Sequence, residues 1–487
     1  MLSNLHSLNI RIKCLLAGQS NDMKRIKLFI SIILVCTLGR VAGQGWENGP
    51  DPNLFPIAVW LQDPADAAAY KGGGINLYIG LWQGPTEDQL AALRAAGMPV
   101  MCSQNSTGLN HLEDSIIVGW TQQDEPDNAQ SDGAGGYDPC IDPEIIVDLY
   151  DDIRKHDATR PVYLNLGQGV SYIEWVGRGE CTGDTMMYPD YMEGCDIVSF
   201  DIYPVTSKYD LVRDNLWYVA QGVDNLRRWS GDGKPVWCWI ETTHINSTSK
   251  PTPDQVKAEV WMAIIHGATG LGYFCHEWVP EFNANALLDD PVMFPAVTSV
   301  NEQVQQLAPV LHTPDISGMV SVESSAAGVP VDIMVKSFRD TLYIFTVAMR
   351  DGPTDAIFTL EGMVDGDVSV LGEDRELVVS GNTFEDHFNA YEVHLYKAGL
   401  TGTGLRTKGD DACRIFPNPC SGYLTIDTSH PVRCLSLISM TGSIVELPVQ
   451  AGDMQLDLSQ VTPGTYILQV QTNHQFYNRK IFIRHVF

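Results

Sequence analysis

From Leu54 to about Leu311 the chain repeats one pattern: a short apolar run, a polar break, then a longer stretch whose apolar residues recur at helical spacing. Short continuous apolar runs bounded by turn residues read as strands buried on both faces, and the amphipathic stretches between them as covering helices. The runs are Phe55–Gln62, Ile75–Trp82, Pro99–Asn105, Ile116–Asp124, Pro161–Gly167, Asp196–Pro204, Pro235–Thr243 and Ala268–Trp278. Eight strand and helix units in one row predict a closed parallel barrel ringed by helices, a (β/α)8 TIM barrel of the α/β class. An open doubly wound sheet is the alternative, but no Gly-rich phosphate loop follows the first run.

Start signals fix the phase of the helices. Thr86 with Gln89, and Thr252-Pro253 with Gln255, have capping-box spacing, and Asp142-Pro143 opens a third helix. Ile145, Ile146, Leu149 and Ile153 form a stripe expected to pack on the barrel, as do Val260, Trp261, Ile264 and Ile265. Near Thr313 the helical period stops. Leu342–Val347, Ala356–Leu360, Val368–Leu371 and Glu392–Tyr396 then read as strands of a small β-sandwich that buttresses the barrel. Residues 399–412 form a Gly/Thr-rich linker, and residues 413–487 a further β module.

Composition changes the picture in three ways. The chain of 487 residues is too long for one ordinary core and carries a net charge of −29. Residues 1–43 read as a leader: Met23 begins it, Lys24, Arg25 and Lys27 give the charged start, Leu28 to Leu38 the apolar core, and Val41-Ala42-Gly43 the cleavage site. Without that segment 25 basic and 59 acidic residues remain, a net −34. Such a surface repels phosphate backbones and anionic headgroups, which argues against nucleic acid and membrane surfaces and for a neutral partner. No other apolar run approaches the length of a transmembrane segment. Residues 413–487, by contrast, hold five basic and four acidic residues, as expected of a module with a separate role.

Export also permits disulfides. Cys102, Cys238 and Cys275 fall in apolar runs and read as buried small hydrophobes, whereas Cys140, Cys181 and Cys195 lie in or near loops and leave the pairing open. No CxxC or HxxxH spacing suggests a metal site, and no cofactor is expected.

The chemistry concentrates where two apolar runs break into carboxylates. The first, Gly119-Trp120-Thr121-Gln122-Gln123-Asp124-Glu125-Pro126-Asp127, follows Ile116-Ile117-Val118, and the second is Val236-Trp237-Cys238-Trp239-Ile240-Glu241. Glu125 then ends the fourth barrel strand and Glu241 the seventh, on opposite sides of the mouth where such barrels build their sites. Two carboxyls facing across a pocket suit glycoside hydrolysis, one donating a proton and one attacking or activating water. Asp124 and Asp201 are further acids at strand ends, Tyr203 ends the sixth strand, and Trp82, Trp120 and Trp278 offer faces on which sugars stack. Glu277 is a rival to Glu241, and His276 reads as a satisfied polar neighbour.

In these features residues 54–311 resemble clan A glycoside hydrolases. The resemblance implies a retaining mechanism with Glu125 as acid/base, Glu241 as nucleophile, Tyr203 hydrogen-bonded to the nucleophile and Trp278 as an aromatic floor. Clan members usually have asparagine before the acid/base, contacting the sugar 2-hydroxyl; this chain has Asp124. A barrel that binds carbohydrate without turnover, as an adhesive surface protein, is the alternative, and a metal-dependent hydrolase a more remote one. In the last module, Ile415-Phe416-Pro417-Asn418-Pro419, Met440-Thr441-Gly442, Leu456-Asp457-Leu458-Ser459 and Pro463-Gly464-Thr465-Tyr466 resemble a type IX secretion sorting domain. That implies recognition by the type IX secretion machinery and release at, or to, the outer surface of a Gram-negative bacterium. The whole chain thus reads as a leader (1–43), a TIM barrel (44–312), a β-sandwich (313–398), a linker (399–412) and a C-terminal β-sandwich sorting domain (413–487).

Overall fold

The structure, a computed structural model, describes residues 53–399 except 232, 340 and 362–364, and residues 413–484 except for short stretches. The leader and most of the linker lie outside the described residues.

Eight strands close a parallel barrel in chain order: β1 (Ile57–Trp60), β2 (Leu77–Ile79), β3 (Val100–Cys102), β4 (Ile117–Thr121), β5 (Val162–Leu166), β6 (Ile197–Asp201), β7 (Val236–Glu241) and β8 (Gly270–Phe274). Inside it Ala58, Leu77, Met101, Ile197, Trp237 and Trp239 form one core, and a larger one fills the space between strands and helices. The two indoles fit because β8 is glycine opposite them: a Cβ at Gly270 would lie 2.5 Å from Trp237, and one at Gly272 2.2 Å from Trp239.

The helices begin where their caps place them. Thr86 and Gln89 close the capping box of α1 (Glu87–Ala96), Asp142 caps α2 (Pro143–His156), and Thr252 and Gln255 box α4 (Pro253–Ile265) after α3 (Tyr218–Ser230). Each such cap contributes about 1 kcal/mol. Helix α2 corrects one expectation: Ile146 is buried, but Ile145 and Leu149 are 52% and 41% exposed. The helix touches the barrel along a narrower stripe than the spacing suggested.

After α5 (Met293–Leu311) the chain forms a sandwich. Strands β9 (Val320–Ser324), β12 (Thr354–Leu360) and β15 (Thr383–Phe388) make one sheet. The other contains β10 (Val331–Phe338), β11 (Thr341–Ala348), β13 (Gly366–Val370), β14 (Arg375–Val379) and β16 (Val393–Gly399). It packs on the barrel through Phe345, stacked 5.4 Å from Trp261, and through His266, which meets Asp224 of α3 at 3.0 Å and Asp332 of β10 at 3.1 Å. The C-terminal module is a second antiparallel pair of sheets built from residues 413–483.

Candidate active site

The turn after β4 carries the acids. Glu125 has φ +44°, a left-handed conformation that costs a residue with a side chain of order 1 kcal/mol or more and persists only when its surroundings fix it. Here they do. Its amide donates to Asn165 O at 3.0 Å, and its carbonyl accepts from Asn128 N at 3.1 Å and Gln130 Nε2 at 3.2 Å. Asp127, fully buried two residues on, accepts from Gly167 N at 2.8 Å and Tyr188 Oη at 3.0 Å, pinning the turn to the segment after β5.

The turn opens into a cavity of about 480 Å3 at the C-terminal mouth of the barrel. Asp124, Glu125 and Asp201 are its acids, Trp60, Tyr203, Trp239, Phe274 and Trp278 its aromatic walls, and Asn165, Lys208 and Asn246 further polar groups. A chain of hydrogen bonds orients it from below. Trp239 Nε1 donates to Tyr163 Oη at 2.8 Å, that hydroxyl meets Ser199 Oγ, and Ser199 donates to Asn165 Oδ1 at 2.6 Å. The Asn165 amide nitrogen is thereby turned to the acids, 3.0 Å from Asp124 Oδ1 and 3.4 Å from Asp201 Oδ1.

The acids hold their protons more tightly than free carboxyls. Burial, then the charges of Asp201 and Asp124, lift Glu125 well above the usual carboxylate range; Asp201 is pushed up to about 7, mainly by burial, while its hydrogen bond to Glu125 opposes the rise. Two carboxyls in hydrogen-bond contact share one proton, and Glu125 is its main holder. Asp124 is pushed up to about 6, mainly by desolvation among the cavity walls and then by the charge of Asp127, while its hydrogen bond from Asn165 opposes the rise. Its side chain is open to the cavity.

The structure brings Glu125, Asp124, Asp201, Tyr203 and Trp278 together, and leaves three expected residues apart. Glu241 is fully buried and does not line the cavity; its carboxylate accepts from Val205 N at 2.6 Å and Thr206 N at 2.9 Å. Against it lies Glu259 of α4, also fully buried, with neither oxygen in a well-formed hydrogen bond among the described residues. Burial dominates both: Glu241 is pushed up to about 7 and Glu259 well above its usual range. Trp120 is turned to the helix layer because the register slips in the β3–β4 pairing and reverses the alternation, and its indole donates to Asp157 at 2.9 Å. Trp82 stands 71% exposed on the turn after β2, outside the cavity lining.

Several smaller expectations also change. Asp201 is hydrogen-bonded to another acid, Glu125. Glu277 is outside the cavity lining, and His276 is buried with Nδ1 unpartnered among the described residues. Sequence reasoning missed Trp60, Asn165, Lys208, Trp239 and Asn246; for Asn165 the signal was a lone polar residue near the end of Val162-Tyr163-Leu164-Asn165-Leu166. Of the three loop cysteines, Cys140 and Cys181 form a disulfide with Cα atoms 6.2 Å apart, and Cys195 is free and buried. Among the described residues no three His, Cys, Asp or Glu side chains are grouped to hold a metal, and no helix is long and apolar enough to cross a membrane.

Among solved structures the chain is similar to a glycoside hydrolase family 30 subfamily 8 xylanase from Clostridium acetobutylicum, at 15% identity and a TM-score of 0.41, over 71% of this chain and 96% of that one. It is also similar to an alpha-amylase from Geobacillus thermoleovorans (9% identity, 71% and 98% covered, TM-score 0.45). A third is a GH42 beta-galactosidase from G. stearothermophilus (10%, 71% and 98%, TM-score 0.46). No curated protein matches the chain. Residues 414–484 match the family described as the secretion system C-terminal sorting domain, and with that match the last module of the chain is a sorting domain of this family.

Proposed function

We propose that the barrel is a glycoside hydrolase acting outside the cell on O-glycosidic bonds, with Glu125 as the proton donor. The observation that carries this reading is the meeting of Asp124, Glu125 and Asp201 with five aromatic side chains in one cavity at the barrel mouth. Aromatic faces take the C–H face of a pyranose, and a carboxyl kept protonated near neutral pH is what a leaving glycosidic oxygen requires. Glu125 donates to the leaving oxygen as the glycosidic bond breaks; Asp201 and Asp124, the ionised partners, stabilise the positive charge that develops on the sugar ring, and water then adds to the anomeric carbon and returns a proton to the Glu125 carboxylate. The carboxyls of Glu125 and Asp201 touch, which is closer than the roughly 5 Å needed to place an anomeric carbon between two acids. They therefore serve one face of the substrate as a unit. Glu241 is fully buried outside the cavity lining, so a retaining attack by it would require the side chain to move out of its place beside the Val205 and Thr206 amides; we assign it to supporting the segment after β6. The sorting domain supports export by the type IX secretion machinery to the surface or surroundings of a Gram-negative bacterium.

The placement of Glu241 also favours a second reading, a barrel that binds saccharide without cleaving it. Release of reducing ends from a panel of soluble polysaccharides and aryl glycosides, by the wild type and by Glu125→Gln, separates the two. Turnover by the wild type that Glu125→Gln loses supports the hydrolase; equal turnover in both, or none in either, overturns it.

A further inference from the structure

The aromatic walls of the cavity do not end at its rim. Tyr203 lies 5.3 Å from Phe274, Phe274 is stacked 5.5 Å from Trp278 at 18°, and Trp278 lies 5.5 Å from Phe282. Exposure rises along this row, from the half-buried Tyr203 and Phe274 to 48% at Trp278 and 60% at Phe282. The last two stand on a short hairpin, residues 277–283, whose ends are paired by Glu277 N to Asn283 O at 2.9 Å and Asn283 N to Glu277 O at 3.0 Å. Asn283 is held in turn by Asp289 at 3.1 Å. The buried ring of His276 backs Phe282, near parallel at 17° and 5.9 Å away.

Each outer ring is thus supported from within and open outward. Rings this exposed gain nothing for folding in their open faces, and a braced hairpin keeps them from collapsing onto the surface. Their spacing is comparable to the length of one pyranose unit. The hairpin carries Glu277 and Glu281 and no cation, on an already acidic chain, so a polyanion is disfavoured.

We propose that Trp278 and Phe282 form an outer platform for a neutral saccharide chain, holding the units next to the one at Glu125, so that the substrate is an oligosaccharide or polysaccharide. This rests on the reading of the cavity as a sugar site. The platform accepts by stacking, and sequence position alone hides it, because Phe282 lies beyond the last barrel strand.

The test uses the full chain carrying Glu125→Gln, run by affinity electrophoresis in gels cast with barley β-glucan, arabinoxylan, galactomannan or soluble starch. Retardation by at least one polymer is expected, to be weakened about tenfold or more by adding Phe282→Ala and kept by Phe282→Tyr. In the otherwise wild-type enzyme, Phe282→Ala is expected to lower the ratio of kcat/KM on that polymer to kcat/KM on an aryl monoglycoside by a similar factor. Retardation by none of the polymers, equal retardation with and without Phe282→Ala, or an unchanged ratio overturns the platform. Retardation that depends on Phe282 in a chain whose wild type cleaves nothing would support the platform while overturning the hydrolase.

Discussion

The amide of Val205 donates to Glu241 Oε1 at 2.6 Å, so the acid at the end of the seventh strand is spent on the backbone that follows Asp201 and Tyr203. Glu241→Gln keeps an acceptor for that amide and is expected to retain turnover within about tenfold, whereas Glu125→Gln is expected to lose about 10²–10⁴ in kcat. Glu241→Ala should cost more than Glu241→Gln and speed hydrogen exchange at Val205 and Thr206. Added azide tests the opposite view: restored turnover of Glu241→Ala with formation of a glycosyl azide would make Glu241 the attacking group.

The contact between Glu125 and Asp201 predicts a pH effect. A proton donor works only while protonated, so activity falls as pH rises through the upper titration of the pair. Asp201→Asn removes a negative charge that raises Glu125, so the basic limb of kcat/KM should move to lower pH. A basic limb that stays in place, measured over pH 4 to 9 in constant ionic strength, would show that the two acids do not titrate together.

The disulfide between Cys140 and Cys181 ties the segment just before α2 to the one between β5 and β6, 41 residues apart in sequence. Closing a loop of that length stabilises by about 4 kcal/mol at most on chain-entropy grounds. Paired replacement by serine is expected to lower the midpoint of thermal unfolding by several degrees. An unchanged midpoint under non-reducing conditions would mean that the loops are held without it.

His266 joins the barrel to the sandwich. Burial alone would depress it, but hydrogen bonds to Asp224 and Asp332 outweigh that and lift it to about 9. The stability it adds is full below its unfolded value near 6.5 and is lost as pH rises through about 9. Both acids are partly exposed, so solvent screening reduces its worth to about 1 kcal/mol. His266→Gln should therefore be less stable than wild type at pH 6 to 7, and the gap should close above pH 9. A gap that is constant with pH would point to packing instead.

Periodicity carried the barrel: eight apolar runs were legible because parallel strands are buried on both faces, and the caps at Thr86, Asp142 and Thr252 lie where their spacing put them. Which way a side chain leaves a strand end was less legible. The slip in the β3–β4 pairing turned Trp120 outward, and the segment after β6 claimed Glu241 through two amides; both depend on contacts between strands that no single run encodes. Asn165 and Trp60 were hidden for a related reason, since each gains its place from neighbours on other strands.

The left-handed turn at Glu125 has one more consequence. The backbone there resists the shape it is given, and its grip comes from the Asn165 carbonyl, the Asn128 amide and the Gln130 side chain, atoms whose work is to hold the turn. Weakening any of them lets Glu125 relax toward an easier conformation while the barrel stays intact, so a proton donor placed there would fall silent long before the protein melts.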